Sequence, residues 1–509
     1  MKVFKRSGIL TVALVLFLAL ILPVLASCGG GNNPQGTSPS KETVQVIEKD
    51  EYGRPVLDCD VVSANLNYEY APITILAMED RKYETYDSTV AAGDTMNEAL
   101  YARNMYVESA IKVEIGYDYC VNSSANKTMM NKVKSVYLGG ATGTLYDIIL
   151  PHAYYSTPFA LEGMYTNLLN CDHLDFSRPW WNGTMNEEMT VNNQLYIGIG
   201  DFSLSAIRNT FCMFYSKDLL KMYGRDINIY EIVDDGAWTL EYLETLIKDI
   251  YGDIDEIPGE SEGDRYGLVT SNHAFNADAF LAGFNVKLTT RNEANGVLDI
   301  GFGDDRSVAA FESTYDLVHM NETYFVTEKN GYEKVRNMFV SNQAVFVADM
   351  FCMTDTIAQN MTGYGIVPVP LLNADQKDYK STSQEGFSAL IIPANIQGDE
   401  LDRTTAALEC LCYASYNKIV PLYFEKILKV RYSPLLEDSQ MYDLILASRY
   451  YNFGYVYSRS IENMLWSWRN NIGAESINIS AYWNEENGSV YADKLGTLLE
   501  FFYPEGVPQ

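Results

Sequence analysis

The sequence predicts an α/β protein of two lobes. About 460 residues follow a polar N-terminal tract, more than one ordinary hydrophobic core accommodates. Between Ile73 and Pro151 the pattern runs strand, helix, strand, helix, strand, the alternation that builds a parallel sheet with helices against it. From Tyr196 to Leu246 a glycine-broken strand leads into a second strand and two helix starts, as expected where a chain leaves one core and begins another.

At the N-terminus, Lys2, Lys5 and Arg6 precede an apolar run from Ile9 to Leu25 that ends in Leu25-Ala-Ser-Cys28. A basic start, an apolar centre and small residues before a cleavage point describe a secretory leader. The Leu-Ala-Ser-Cys ending resembles a bacterial lipobox, which implies cleavage before Cys28 and a diacylglycerol on its sulfur. The alternative is an uncleaved anchor, since 17 apolar residues lie near the lower limit for a span. After Cys28 come three glycines and Asn-Asn-Pro-Gln-Gly-Thr-Ser-Pro-Ser, too small and polar to bury a core, so residues 28–50 are expected to be a flexible tether.

In the folded part, Ile73-Thr-Ile-Leu-Ala77 is the first strand. Thr95-Met-Asn-Glu98 is a capping box for a helix to about Ala110, and Ile111–Ile115 alternates as a strand. A helix is expected near Met129–Leu138. Tyr146-Asp-Ile-Ile-Leu150 is the continuous apolar run of a parallel strand buried on both faces. In Tyr196-Ile-Gly-Ile-Gly-Asp-Phe202 the glycines at 198 and 200 suit a backbone that passes close to another surface. Phe211–Tyr215 is the next strand. Ser216 caps a helix with Asp218 in its first turn, and Thr239 caps another whose Leu240, Leu243, Leu246 and Ile247 share one face. Further on, 435–447 and 457–468 read as helices.

Tyr215-Ser-Lys-Asp-Leu-Leu220, a spacer, and Gly236-Ala-Trp-Thr239 with its amphipathic helix resemble the middle of the extracellular solute-binding proteins of ABC importers, of the maltose-binding type. Tyr146–Leu150 before it, then Gln343-Ala-Val-Phe-Val-Ala-Asp349, Tyr364-Gly-Ile-Val-Pro-Val-Pro370 and Gly386-Phe-Ser-Ala-Leu-Ile-Ile-Pro393, follow that family's order of landmarks. The resemblance implies a type II periplasmic-binding-protein-like fold hinged on crossing strands. It places 51–201 and 340–385 in an N-terminal lobe and 202–339 and 386–509 in a C-terminal one, after a leader at 1–27. Crossings would fall near 200–203, 344–349 and 385. It further implies a small-molecule ligand, an oligosaccharide by preference, ABC permease subunits as partners, membrane attachment through the lipid on Cys28, no enzymatic activity and no cofactor.

Ligands of such architectures bind beyond the carboxyl ends of strands and between lobes. Tyr154 and Tyr155 follow the Ile148–Leu150 run, in a loop that resembles the one following the equivalent strand in sugar-binding relatives. Trp180 and Trp181 add two indoles, Asp201 and Phe202 stand at the first crossing, Asp349 and Phe351 follow a later strand, Glu385 precedes another, and Trp466 lies in a late helical stretch. Sugar rings pack their C–H faces on aromatic rings, and their hydroxyls take carboxylates and amides. Arg208 could meet an acidic ligand group, or pair with Asp201, or face solvent.

The net charge is −30, with Asp+Glu 67 against Lys+Arg 37, which disfavours nucleic acid and anionic lipid head groups as partners. Of the seven cysteines besides Cys28, Cys410 and Cys412 point different ways on one helix, which favours core packing over metal binding. The acidic stretch 253–264 lacks the glycine spacing of a calcium loop and reads as a solvated acidic loop, with a bound cation as the alternative; no metal-ligand set is assigned. The four histidines show no metal-ligand spacing, and no nucleophile or nucleotide-loop motif is present. The rival enzymatic reading is a lipid-anchored glycoside hydrolase with Asp349 and Glu385 as its carboxylate pair. A receptor for another solute, such as a peptide, is a third.

Overall fold

A computed structural model describes residues 48–90, 92–121, 127–138, 146–432 and 435–508. The leader, Cys28 and most of the tether lie outside these residues, and among them no helix is long and apolar enough to cross a membrane.

The first sheet is parallel. β1 (Ala71–Met78) pairs along its length with β2 (Val113–Cys120) and, over Ile75–Ala77, with β3 (Ile148–Leu150). Its strands are joined through α1 (Thr95–Ile111) and α2 (Lys127–Leu138), and β3 leads into α3 (Ala153–Leu161). The cap of α1 lies one residue before the expected box: Asp94 accepts from the Asn97 N–H at 2.7 Å, and Glu98 accepts from the Gly93 N–H at 3.0 Å. Short antiparallel bridges extend the sheet, Ile149 to Ile391 and then Leu390 to Gly198. A Cβ on Gly198 would stand 2.8 Å from Leu168 Cδ1, and one on Gly200 2.9 Å from the Trp180 carbonyl oxygen. The two glycines are therefore needed where the backbone threads between neighbours.

The second sheet sets its strands side by side in the order 364–367, 211–216, 344–350, 266–271 and 323–326. β4 (Phe211–Ser216) leads into α4 (Lys217–Met222), capped by Ser216, and then α5 (Leu240–Ile247), capped by Thr239. The predicted stripe Leu240, Leu243, Leu246 and Ile247 is buried. β5 (Tyr266–Ser271) leads into α6 (Ala274–Gly283). The hairpin β6 (Thr289–Arg291) and β7 (Leu298–Ile300) follows, then β8 (Thr323–Val326), α7 (Gly331–Val340), β9 (Ala344–Met350) and β10 (Tyr364–Val367). β9 is antiparallel to β4 and parallel to β5.

This pairing corrects the expected lobe boundaries. The strand at 344–350 and the one at 364–367 belong to the second sheet, whereas 387–393 rejoins the first. The passages between sheets run side by side: Gln384 N–H donates to the Asn209 carbonyl at 2.9 Å, Phe211 N–H to Thr382, and Tyr450 N–H to Ser381 at 2.9 Å. The return therefore falls at 381–384 and not at 344–349. A third passage, 449–451, runs beside them through a parallel bridge of Arg449 to Ser381.

α8 (Asp399–Val420) packs on α1, and its Thr404 donates to Asp147, the residue before β3, at 3.1 Å. Cys410 and Cys412 are buried in its core, as their placement predicts. Trp180 and Trp181 are also core residues, 1% and 3% exposed, and both indole N–H groups donate to Glu409 of α8 at 2.7 Å. Their predicted role as a sugar platform is thereby corrected: they fasten the 180–182 turn to α8. Burial pushes the Glu409 carboxyl up to about 7, against the pull of the two indoles. The native state then holds a proton that the unfolded chain releases, so stability rises as pH falls through 7. Between pH 8 and pH 6 wild type is expected to gain about 1 kcal/mol over Glu409→Gln, read from denaturant midpoints at each pH.

α9 (Leu436–Ala447) matches its expected range, but the helix expected over 457–468 is broken. Glu462 and Asn463 have φ of 50° and 55°, so α10 (Leu465–Asn471) starts after them.

Candidate functional site

The carboxyl ends of β1, β3, β5 and β9 deliver their following residues to a seam between the sheets. β1 ends in Glu79–Glu84, with Arg81 nine-tenths buried. After β3, His152 stands at the N-cap of α3, followed by Tyr154 and Tyr155. After β5, His273 caps α6 and Phe275 follows in its first turn. After β9 comes Phe351-Cys-Met353. The base of the seam is a buried ion cluster in which Arg469 of α10 holds both Asp278 of α6 and, at 2.7 Å, Glu385. Tyr455 donates to Asp278 at 2.9 Å. Burial raises Asp278 to about 6 while Arg469 opposes the shift.

One wall is aromatic. The His273, Phe275 and Tyr332 rings lie 4.6, 4.6 and 4.7 Å apart pairwise, with the Arg336 guanidinium 5.3 Å above both Phe275 and Tyr332. Arg336 is itself held by Asp349 through two hydrogen bonds of 2.8 and 2.6 Å. Burial, then Arg469 and Arg336, hold His273 down at about 4, so its ring is neutral and can stack. On the other wall the His152 ring is 4.8 Å from Tyr155, and Arg459 lies 4.9 Å over Tyr155. Burial and the charges of Arg81, Arg469 and Arg459 push His152 well below its usual value. Arg81 Nη1, His152 Nδ1 and Arg208 Nε are buried without a protein partner. Such atoms cost about 1–3 kcal/mol each until something supplies a partner.

Near Arg208 a cavity of about 650 Å³ opens between the start of α1 and residues 423–432. Arg208 pairs with Asp355 at 2.8 Å and not with Asp201, and its guanidinium is stacked between Tyr83 and Tyr423.

Of the residues singled out from sequence, Tyr155 is half-buried beside His152, and Trp466, 45% exposed, precedes Arg469 by one helical turn. Tyr154 is buried with its hydroxyl donating to Asn463 at 2.6 Å, a partner that the break before α10 positions. Phe202 and Phe351 are core residues, Phe202 lying under the Arg103 guanidinium, which corrects their expected contact with ligand. Asp201 is half-buried, and desolvation moves it to about 7. Asp349 and Glu385 are each committed to an arginine, so they orient the site and are not free carboxylates for glycoside hydrolysis. His273, Phe275, Tyr332 and Arg336 were not anticipated. The strand-end rule applied to Gly267–Ser271 points to the first two.

At the acidic loop, ligand oxygens of Asp253, Asp255 and Asp264 lie within 4.8 Å of one another. Asp264 accepts from the Ser261 N–H at 2.9 Å and from Tyr251, and Asp255 from Ser261 Oγ at 2.5 Å, so these carboxylates hold the loop's own shape.

No protein-family model matches the chain, and no curated protein matches it. Solved structures do. The sugar-binding protein MalE of Xanthomonas citri aligns over 86% of this chain and 100% of its own, at 14% identity and a TM-score of 0.55. An ABC substrate-binding protein of Listeria monocytogenes in complex with cycloalternan covers 84% and 99%, at 12% identity and 0.53. The GacH receptor of Streptomyces glaucescens, solved unliganded and with acarbose, covers 86% and 100%, at 15% identity and 0.51. This chain has the maltose-binding-protein fold. At these identities the likeness concerns architecture: two α/β lobes of the type II arrangement, with the seam described above in the position between them.

Proposed function

We propose that the protein is a solute receptor that closes its two lobes on a carbohydrate, without covalent chemistry, and delivers it to the permease subunits of an ABC importer. A lipid on Cys28 would keep it at the outer face of the cell membrane. The observation that carries this reading is the seam itself, where stacked rings, fixed guanidinium groups and unpartnered buried polar atoms come from the strand ends of both sheets. Rings match the C–H faces of a sugar, and orphaned donors match its oxygens. That structural neighbours include receptors solved with saccharides supports the choice of ligand class. The commitment of Asp349 and Glu385 to arginines favours binding over hydrolysis.

A melting-temperature screen of the folded domain against a broad panel of oligosaccharides tests the reading. A ligand at 100 times its Kd stabilises the native state by about 2.7 kcal/mol, which for a chain of this size raises Tm by about 3 °C. A panel without any shift, alongside a clear shift with peptides, would replace the carbohydrate by a different solute on the same scaffold.

A further inference from the structure

The cationic side chains of the seam are not all accounted for by the protein. Acids outnumber bases in this chain, 67 to 37, so an arginine with no carboxylate beside it runs against composition. Arg336 has Asp349, Arg208 has Asp355, and Arg469 has two acids. Arg81 and Arg459 differ. Among the described residues neither has a carboxylate within 4 Å, and Arg81, only 9% exposed, leaves Nη1 without any partner.

Arg459 lies 4.9 Å over the Tyr155 ring, which is 4.8 Å from the ring of His152, whose Nδ1 is the other orphan of this wall. The charges of both arginines also bear on His152 and help hold it below its usual value. Gly386 passes so close that a Cβ there would stand 2.5 Å from His152 Nε2, which fixes the imidazole in its slot. Glu385, next to Gly386, has Arg469 and Gln384 as partners. A buried guanidinium with no counter-charge is held at a cost of several kcal/mol, a cost removed when an anion arrives.

We propose that the ligand is an acidic saccharide whose oxyanion is received by Arg81, Arg459 and His152 while its ring lies against the aromatic side chains of the seam. This rests on the carbohydrate reading above and narrows it. The shared chemistry is a sugar-borne oxyanion, which a uronic carboxylate or a sulfate or phosphate ester provides. A guanidinium takes any of these through paired charge-assisted hydrogen bonds. A neutral sugar leaves the same donors unsatisfied, so the site discriminates against it.

The test is calorimetric titration with matched pairs: oligogalacturonates, oligoglucuronates and oligomannuronates, each against the neutral hexose oligomer of the same linkage, with sulfated and phosphorylated saccharides as separate arms. At least one charged member is expected to bind about 100-fold tighter than its neutral counterpart, the contribution of two charge-assisted hydrogen bonds. The arm in which it falls identifies the oxyanion. Arg459→Gln, at a half-buried position where folding is not at risk, is expected to remove about tenfold of that preference with an unchanged melting temperature for the free protein. Arg81→Gln is expected to remove as much or more. Neutral oligomers that bind as tightly as their charged partners would overturn the inference and leave the carbohydrate reading standing. A charged ligand whose affinity is unaffected by Arg459→Gln would also overturn it. If no saccharide of either kind binds, both fall together.

Discussion

Arg469→Met is expected to lower the stability of the fold by about 3–5 kcal/mol, the effect of leaving a buried carboxylate without its partner. Here the loss is doubled in kind, because Asp278 at 0% and Glu385 at 4% side-chain exposure share this one guanidinium. The arginine also joins α10 to α6 and to the 381–386 passage, so its removal loosens the contact between late chain and both sheets. Guanidinium chloride unfolding measures the drop. The accompanying triple variant Arg469→Met, Asp278→Asn, Glu385→Gln is expected to recover a large part of it, because no unpaired charge remains. If Arg469→Met unfolds at the wild-type midpoint, the cluster is not the buried keystone described here.

Tyr155→Ala and Trp466→Ala are each expected to weaken binding of the cognate saccharide by about 10-fold to 100-fold, as removal of an aromatic platform does. Their free proteins should unfold close to wild type, because Tyr155 is only half-buried and Trp466 is exposed. Trp181→Ala is expected to show the reverse, a stability loss of about 3–5 kcal/mol with little change in affinity per folded molecule, since its ring is core and its N–H is tied to Glu409. Calorimetric titration and denaturant unfolding on the same three variants separate the two behaviours.

That contrast also explains which parts of the site could be read from sequence. Adjacent indoles in a polar setting look like a sugar platform. What makes Trp180 and Trp181 structural is a glutamate 228 residues beyond the second of them, and no local pattern contains it. Tyr155 follows a continuous apolar strand, so the strand-end rule reaches it. The same rule applies to His273 and Phe275, but their preceding strand contains Gly267, whose Cβ would stand 2.3 Å from Ile247 Cβ, and it reads less strongly as a strand. Strands, caps and apolar helix faces were legible because each depends on neighbours a few residues away. The lobe to which Ala344–Met350 belongs depends on its pairing with Phe211–Tyr215, a contact fixed only by the finished sheet. The break at Glu462 and Asn463 was hidden because helical spacing continues across it in the sequence.

Hydrogen exchange with and without a saturating saccharide tests most directly whether the seam encloses the ligand. Slowed exchange is expected in five segments at once, 79–84, 152–156, 272–276, 330–337 and 459–470, which come from both lobes, with the outer faces of α2 and α9 unchanged. Protection limited to one lobe, or appearing away from these segments, would contradict a ligand held between the two sheets.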